Sequence, residues 1–254
     1  MKSVVRFTHI VSAIAVMTVL PALAGAQALP QASDIVAKYV SAIGGKDAIM
    51  KVTSLKQVAT MEIPSIGMSA EMEMYSAAPN KMASKTNIPG LGEMLNGYNG
   101  TVGWDMNPMQ GPRLLADKEL TNMAEGADFY ANMLYSADRY ASMTTLGDTV
   151  INGEKAYKVK MVRKSSGKES FSFFSATSGL LLAGISTQES QMGALETTQV
   201  VSEYKKFGDL MIPTKIQQSM GPQSMTLTVK SVEINGAPES AFAVPAQVQA
   251  LIKK

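Results

Sequence analysis

Two periodicities divide the chain. Ile35, Val36, Tyr39, Val40 and Ile43 recur at the spacing of one helix face. Ser33 offers a cap, Asp34 suits the positive end of the helix dipole, and Gly44-Gly45 marks a stop. A short second helical piece is predicted over 46–51. The period then drops to two. Segments 54–63 (SLKQVATMEI) and 67–76 (GMSAEMEMYS) alternate as paired strands around a Pro-Ser-Ile-Gly turn. On the second, Met68, Ala70, Met72 and Met74 share one face, while Glu71, Glu73 and Tyr75 share the other. Ala59, Met61 and Ile63 can line up beside the methionines.

Pro79-Asn80 predicts another turn. Glycine and proline crowd residues 87–112, which predicts a mobile loop over 88–97 and a hairpin in which Asn99-Gly100 leads into VGWDM. A helical segment is predicted within 116–135, where Leu120, Met123, Ala127, Tyr130, Met133 and Leu134 can share a face. From 143 onward, turn glycines recur every 12 to 15 residues, at 153, 167, 179, 193, 208, 221 and 236. Strands of about ten residues fit between them, against a usual five or six. The fold class is therefore mainly β: a large, twisted antiparallel sheet.

The ends change the chemistry. Lys2 and Arg6 precede an apolar run from Ile10 to Leu20 and a small-residue stretch, the pattern of an export signal peptide. The run is too short to span a bilayer, which takes about 20 residues. A cut after Ala26, or alternatively after Ala28, leaves one domain over 29–254. Lys2 and Arg6 leave with the leader, which takes Lys+Arg from 23 to 21 against 21 Asp+Glu. A formally neutral chain argues against nucleic acid as a partner. The single histidine, His9, leaves too, and there is no cysteine. Ser-His-Asp and Cys-His machinery and the usual zinc ligand sets are then impossible. An enzyme is not expected, nor a cofactor, nor a metal. Paired carboxylates, as in a carboxylate-based hydrolase, stay formally open, and so does a Ser-Lys pair.

Met1 and Met17 belong to the leader, so 17 of the 19 methionines stay in the domain. Methionine fills irregular gaps but specifies packing poorly. A thioether-rich strand face is therefore either core or an adaptable wall for apolar ligands. Copper capture is disfavoured, because i and i+2 side chains on a strand stand about 7 Å apart. A transmembrane barrel is disfavoured by an aromatic content of 6% and by lysines and glutamines within the strand bodies. Lys155, Lys158, Lys160, Arg163, Lys164 and Lys168 gather around one hairpin, and read as a solvated face or an anion-docking patch.

The order of these pieces resembles the LolA/LolB-like superfamily of outer-membrane lipoprotein-sorting proteins. The likeness is carried by Tyr39 with Gly44-Gly45, by Asn99-Gly100 followed by GWDMNP (103–108), by SFFSATSGLL (172–181), by YKKFGDLMIP (204–213), and by Phe242 with Pro245. Ser175 or Ala176 stands where the family usually has Asp. The resemblance implies an incomplete, half-open antiparallel β-barrel covering a few helices. It also implies a hydrophobic cavity that carries lipid or lipoprotein acyl chains across the periplasm. On that reading, Met61, Ile63, Met72, Met74 and Trp104 are wall residues, and Met94 and Leu95 belong to a lid. The alternative is a non-enzymatic sensor, or an accessory subunit of an envelope complex, with the same fold.

Overall fold

The computed structural model describes residues 28–190 and 193–252. The expected leader lies outside the described residues. Two helices come first, α1 (Ala32–Ala42) and α2 (Lys46–Met50). Strands β1 (Ser54–Ile63) and β2 (Met68–Ala77) follow around a 3-10 turn at Pro64–Ile66. Next come β3 (Lys81–Ile88), β4 (Gly92–Tyr98), β5 (Gly103–Asn107) and β6 (Gly111–Leu114). Helices α3 (Asp117–Gly126) and α4 (Ala131–Leu134) separate these from β7 (Tyr140–Ile151), β8 (Glu154–Arg163), β9 (Glu169–Ser175), β10 (Leu181–Ser190), β11 (Gly193–Phe207), β12 (Leu210–Met220) and β13 (Gln223–Ile234). A 3-10 turn at Glu239–Phe242 and helix α5 (Ala246–Ile252) end the described chain.

All 13 strands form one antiparallel sheet in the order β6-β5-β4-β3-β2-β1-β13-β12-β11-β10-β9-β8-β7. It does not close, so β6 and β7 are its edges. The expected half-open barrel is what the chain builds. A single long-range pairing, β1 with β13, joins the two meanders. Asn235 clamps that junction: its Oδ1 accepts from the Thr53 and Ser54 amides at 2.7 and 3.3 Å, and its Nδ2 donates to the Lys51 carbonyl at 3.2 Å.

The principal core lies on the concave side. Ile35, Val36 and Tyr39 of α1 pack there with Ile49, Phe129, Tyr135, Tyr140, Val159, Met161 and Phe174. Gly44 does more than stop α1. A Cβ there would lie 2.4 Å from the Asp209 carbonyl oxygen, so only glycine lets the helix end seat against the β11–β12 turn. The Met211 amide then donates to the Ile43 carbonyl at 3.0 Å.

Two expectations need correction. Ser33 does not cap α1: it lies inside the first turn, and the capping position, Gln31, makes no side-chain cap bond. Residues 88–97 are not a loop. Ile88 ends β3, Pro89–Leu91 make a tight turn, and 92–97 belong to β4, paired with β3 and β5. The glycines there serve strand contact as well as turning. A Cβ on Gly97 would fall 2.4 Å from Trp104 Cζ2, so the indole lies directly over the bare backbone.

Candidate functional site

Directly opposed residues in a ladder share a face, and four such rows define the concave side of β1–β6. Ile216, Leu227, Met61 and Ala70 form one. Val229, Ala59, Met72, Thr86 and Met94 form the next. Gln57, Met74, Ser84, Asn96, Asp105 and Arg113 form the third. Leu55, Ser76, Met82, Tyr98 and Gly103 form the fourth. Helix α3 covers the end of the fourth row, where a Cβ on Gly103 would meet Leu120 Cδ1 at 2.9 Å.

A cavity of about 820 Å³ lies between α3 and the concave face of β8–β12. That volume is within the roughly 300–1,000 Å³ usual for small-molecule sites. Met82, Leu115, Met123 and Met133 give it an apolar side, and Val201, Pro213 and Ile216 continue that side across the sheet. Tyr39, Tyr135, Tyr140 and Tyr204 gather at its base. Tyr135 stands edge-on to Tyr39 and to Phe174, and it stacks on Tyr140 at 5.8 Å between centroids. Burial pushes all four phenols above their ordinary range, so they stay neutral. The Tyr204 hydroxyl donates to the Leu181 carbonyl at 2.9 Å.

The facing wall is polar. Ser170, Ser186 and Thr197 oppose one another across β9, β10 and β11, and Ser172, Gly184, Gln199 and Gln218 form the next row. Charges sit at the rim. Arg113 pairs with Asp105 and Glu119 at 3.0 and 2.7 Å. Lys168 donates to Asn122 at 2.6 Å and to Glu125 at 3.3 Å. Burial raises the Glu125 pKa, but donation from Ser166, Ser165 and Lys168 outweighs this and holds the carboxyl below its ordinary range. Lys160 pairs with Glu169. These four carboxylates, Asp105, Glu119, Glu125 and Glu169, are thus tied up in ion pairs, a poor start for acid–base chemistry.

The residues singled out by the sequence take several positions. Met61, Ile63, Met72 and Met74 share the concave face and are half-buried. They lie farther along the sheet and do not line the cavity. Met94 joins their row, but it and Leu95 belong to β4, where neighbouring side chains point to opposite faces. Trp104 is not brought to that wall. Its row is Lys56, Tyr75, Ala83, Gly97, Trp104 and Leu114, on the convex face. There the 3-10 turn at Glu239–Phe242 packs on β3 and α5 packs on β6, leaving Trp104 only 2% exposed.

Met82, Met123 and Met133 are the thioethers that do line the cavity. Met123 and Met133 were visible in the helical periodicity of 116–135, whereas nothing local marks Met82 or the serine–threonine rows. At the β9–β10 turn Ser175 accepts from the Thr177 and Ser178 amides at 3.1 and 2.8 Å. A side-chain oxygen is what this turn requires, and serine supplies it. The cationic hairpin is divided: Lys155 pairs with Asp148, Lys158 lies over Phe171 on the convex face, and Arg163 and Lys168 face the cavity.

No helix among the described residues is long and apolar enough to cross a membrane. No protein-family profile and no curated protein matches the chain. Solved structures do. A DUF1329 family protein from Desulfovibrio piger aligns at 13% identity and TM-score 0.58, covering 85% of this chain and 98% of its own. A LolA superfamily protein from Nitrosomonas europaea aligns at 13% and 0.56, covering 85% and 99%. A putative outer membrane lipoprotein-sorting protein domain from Vibrio parahaemolyticus aligns at 13% and 0.52, covering 86% and 100%. With the unclosed sheet and its concave helices, these place the chain in the LolA-like fold.

Proposed function

We propose that this protein is an exported, periplasmic carrier that holds the acyl chain of a lipid or lipoprotein against its concave face, in transport toward the outer membrane. The observation that carries the reading is the 820 Å³ cavity between α3 and the sheet, open to solvent and faced on one side by Met82, Met123 and Met133. Burying an acyl chain is worth about 0.8 kcal/mol per CH₂. Flexible thioethers can follow chains of different length. The half-buried stripe Met61, Met72, Met74 and Met94 continues the apolar surface past the cavity, with room for a chain too long for the cavity alone. The lipoprotein-sorting domain that shares the fold supports the same reading.

The test is native mass spectrometry of protein exported and purified without detergent, with lipid extraction of the same sample. A bound mass of acyl-chain size is expected. It should be lost in Met123→Glu, and weakened in a Met72→Glu/Met74→Glu double variant that still folds. An empty wild-type protein that takes up no added lipid would overturn the carrier reading in favour of an envelope interaction module.

A further inference from the structure

Among the described residues, one cation of the cavity has no carboxylate partner. Arg113 and Lys168 are neutralised by Asp105, Glu119 and Glu125, and Glu169 is held by Lys160. Arg163 lines the same cavity, half-buried, and makes no ion pair among the described residues. Its guanidinium lies over the Tyr140 ring, 5.5 Å from the centroid. That contact fixes the side chain but leaves its in-plane N–H donors free to face a ligand.

A second observation lies on the same wall. Thr197 is 5% exposed, lines the cavity, and its Oγ1 is the one buried side-chain oxygen or nitrogen among the described residues with no hydrogen-bond partner. Leaving such a group unpaired is costly, and a ligand acceptor would recover that cost. Thr197 lies in the row Met161, Ser170, Ser186, Thr197 and Met220. Arg163 stands two residues beyond Met161 on β8, roughly 7 Å along the strand. Adjacent strands are about 4.8 Å apart. One wall therefore runs from a free cation through three hydroxyls, opposite the methionines of the apolar side.

We infer that the ligand is an anionic amphiphile whose acidic oxygens bind Arg163, while the row Ser170, Ser186 and Thr197 donates to polar groups beside the head. This rests on the carrier reading and names its ligand class. The shared chemistry is an anionic head on an acyl chain, supplied either by a free fatty acid or by a phosphate-bearing glycerolipid. A carboxylate has no acceptor to offer Thr197 once it sits on Arg163, whereas a glycerolipid has ester carbonyls beyond its phosphate. The hydroxyl row favours the glycerolipid.

The experiment is calorimetric titration of the full chain, below micelle-forming concentrations, with oleyl alcohol, oleate and oleoyl-lysophosphatidylglycerol. The two acidic probes should bind at least about ten-fold more tightly than the alcohol, as a charge-assisted hydrogen bond gives. Arg163→Gln should erase that advantage, bringing both acids down to the affinity of the alcohol for the same variant, and Arg163→Lys should restore part of it. A further preference for the lysolipid over oleate, lost in Thr197→Val, assigns the glycerolipid. Equal binding of the two acids assigns the fatty acid. If the alcohol binds as tightly as the acids, or the acids keep their advantage in Arg163→Gln, the anchor is wrong while the lipid site stands. If none of the three binds, the carrier reading itself fails.

Discussion

Single residues set tight limits at two places. Gly97 carries the Trp104 ring where a Cβ would stand, 2.4 Å from Cζ2 and 2.9 Å from the Met82 carbonyl oxygen. Gly97→Ala must push either the indole or the β3 backbone, and overpacking of this kind costs about 1–3 kcal/mol. A urea unfolding midpoint lowered to match, with an unchanged slope, is expected. Asn235 is the other place. It satisfies two amides and one carbonyl where β13 meets the start of β1, with φ of 57°. Asn235→Ala removes these bonds and favours φ < 0, so a loss of about 2 kcal/mol is expected by the same measurement. Neither role was legible beforehand. Gly97 sits in a run of six glycines and three prolines that reads as loop, and Asn235-Gly236 reads only as a turn. Partners more than 180 residues away in sequence, such as Thr53, leave no local signal.

The elements were more legible than the residues that join them. Alternation in 54–63 and 67–76 and the regular glycine spacing after 143 correspond to strands in the structure. Alternation works there because one face is wet. It fails across β4–β6, where α3 packs on β4 and β5, α5 packs on β6, and Tyr98 and Trp104 are buried on opposite faces. Helix α3 is the element on which the cavity depends, and it is latched to the β8–β9 turn through Glu125, which accepts from Ser165 and Lys168. Because the folded-state pKa of Glu125 lies below its ordinary 4.5, the latch contributes fully above that value. Its contribution is lost as pH falls through the lowered folded value. Amide protection factors across 117–126 should therefore drop in acid before those of the central strands. Glu125→Gln should be weakly protected at neutral pH already, and should show no such step.

At the scale of the whole molecule, the sheet has two working faces, and its single tryptophan reports on only one of them. The concave face holds the cavity; the convex face of β3–β6 holds Trp104 beneath the C-terminal segment, with Phe242 and Val248 at 3% and 0% exposure. The family resemblance implies a place for Trp104 in the wall, and strand parity puts it on the other side. This has a direct spectroscopic consequence. Ligand entering the cavity should leave the Trp104 emission maximum where it is, because the indole is separated from the cavity by the sheet itself. Val248→Asp should move that maximum to the red in the absence of any ligand. It buries an unpaired carboxylate under α5, which must undock to hydrate it. A saturating oleate titration that shifts the wild-type spectrum would mean that ligand reaches the convex face, or that filling the cavity loosens the C-terminal cover. An unmoved spectrum alongside measurable binding is expected, and would make Trp104 a clean reporter of α5 docking, separate from cargo.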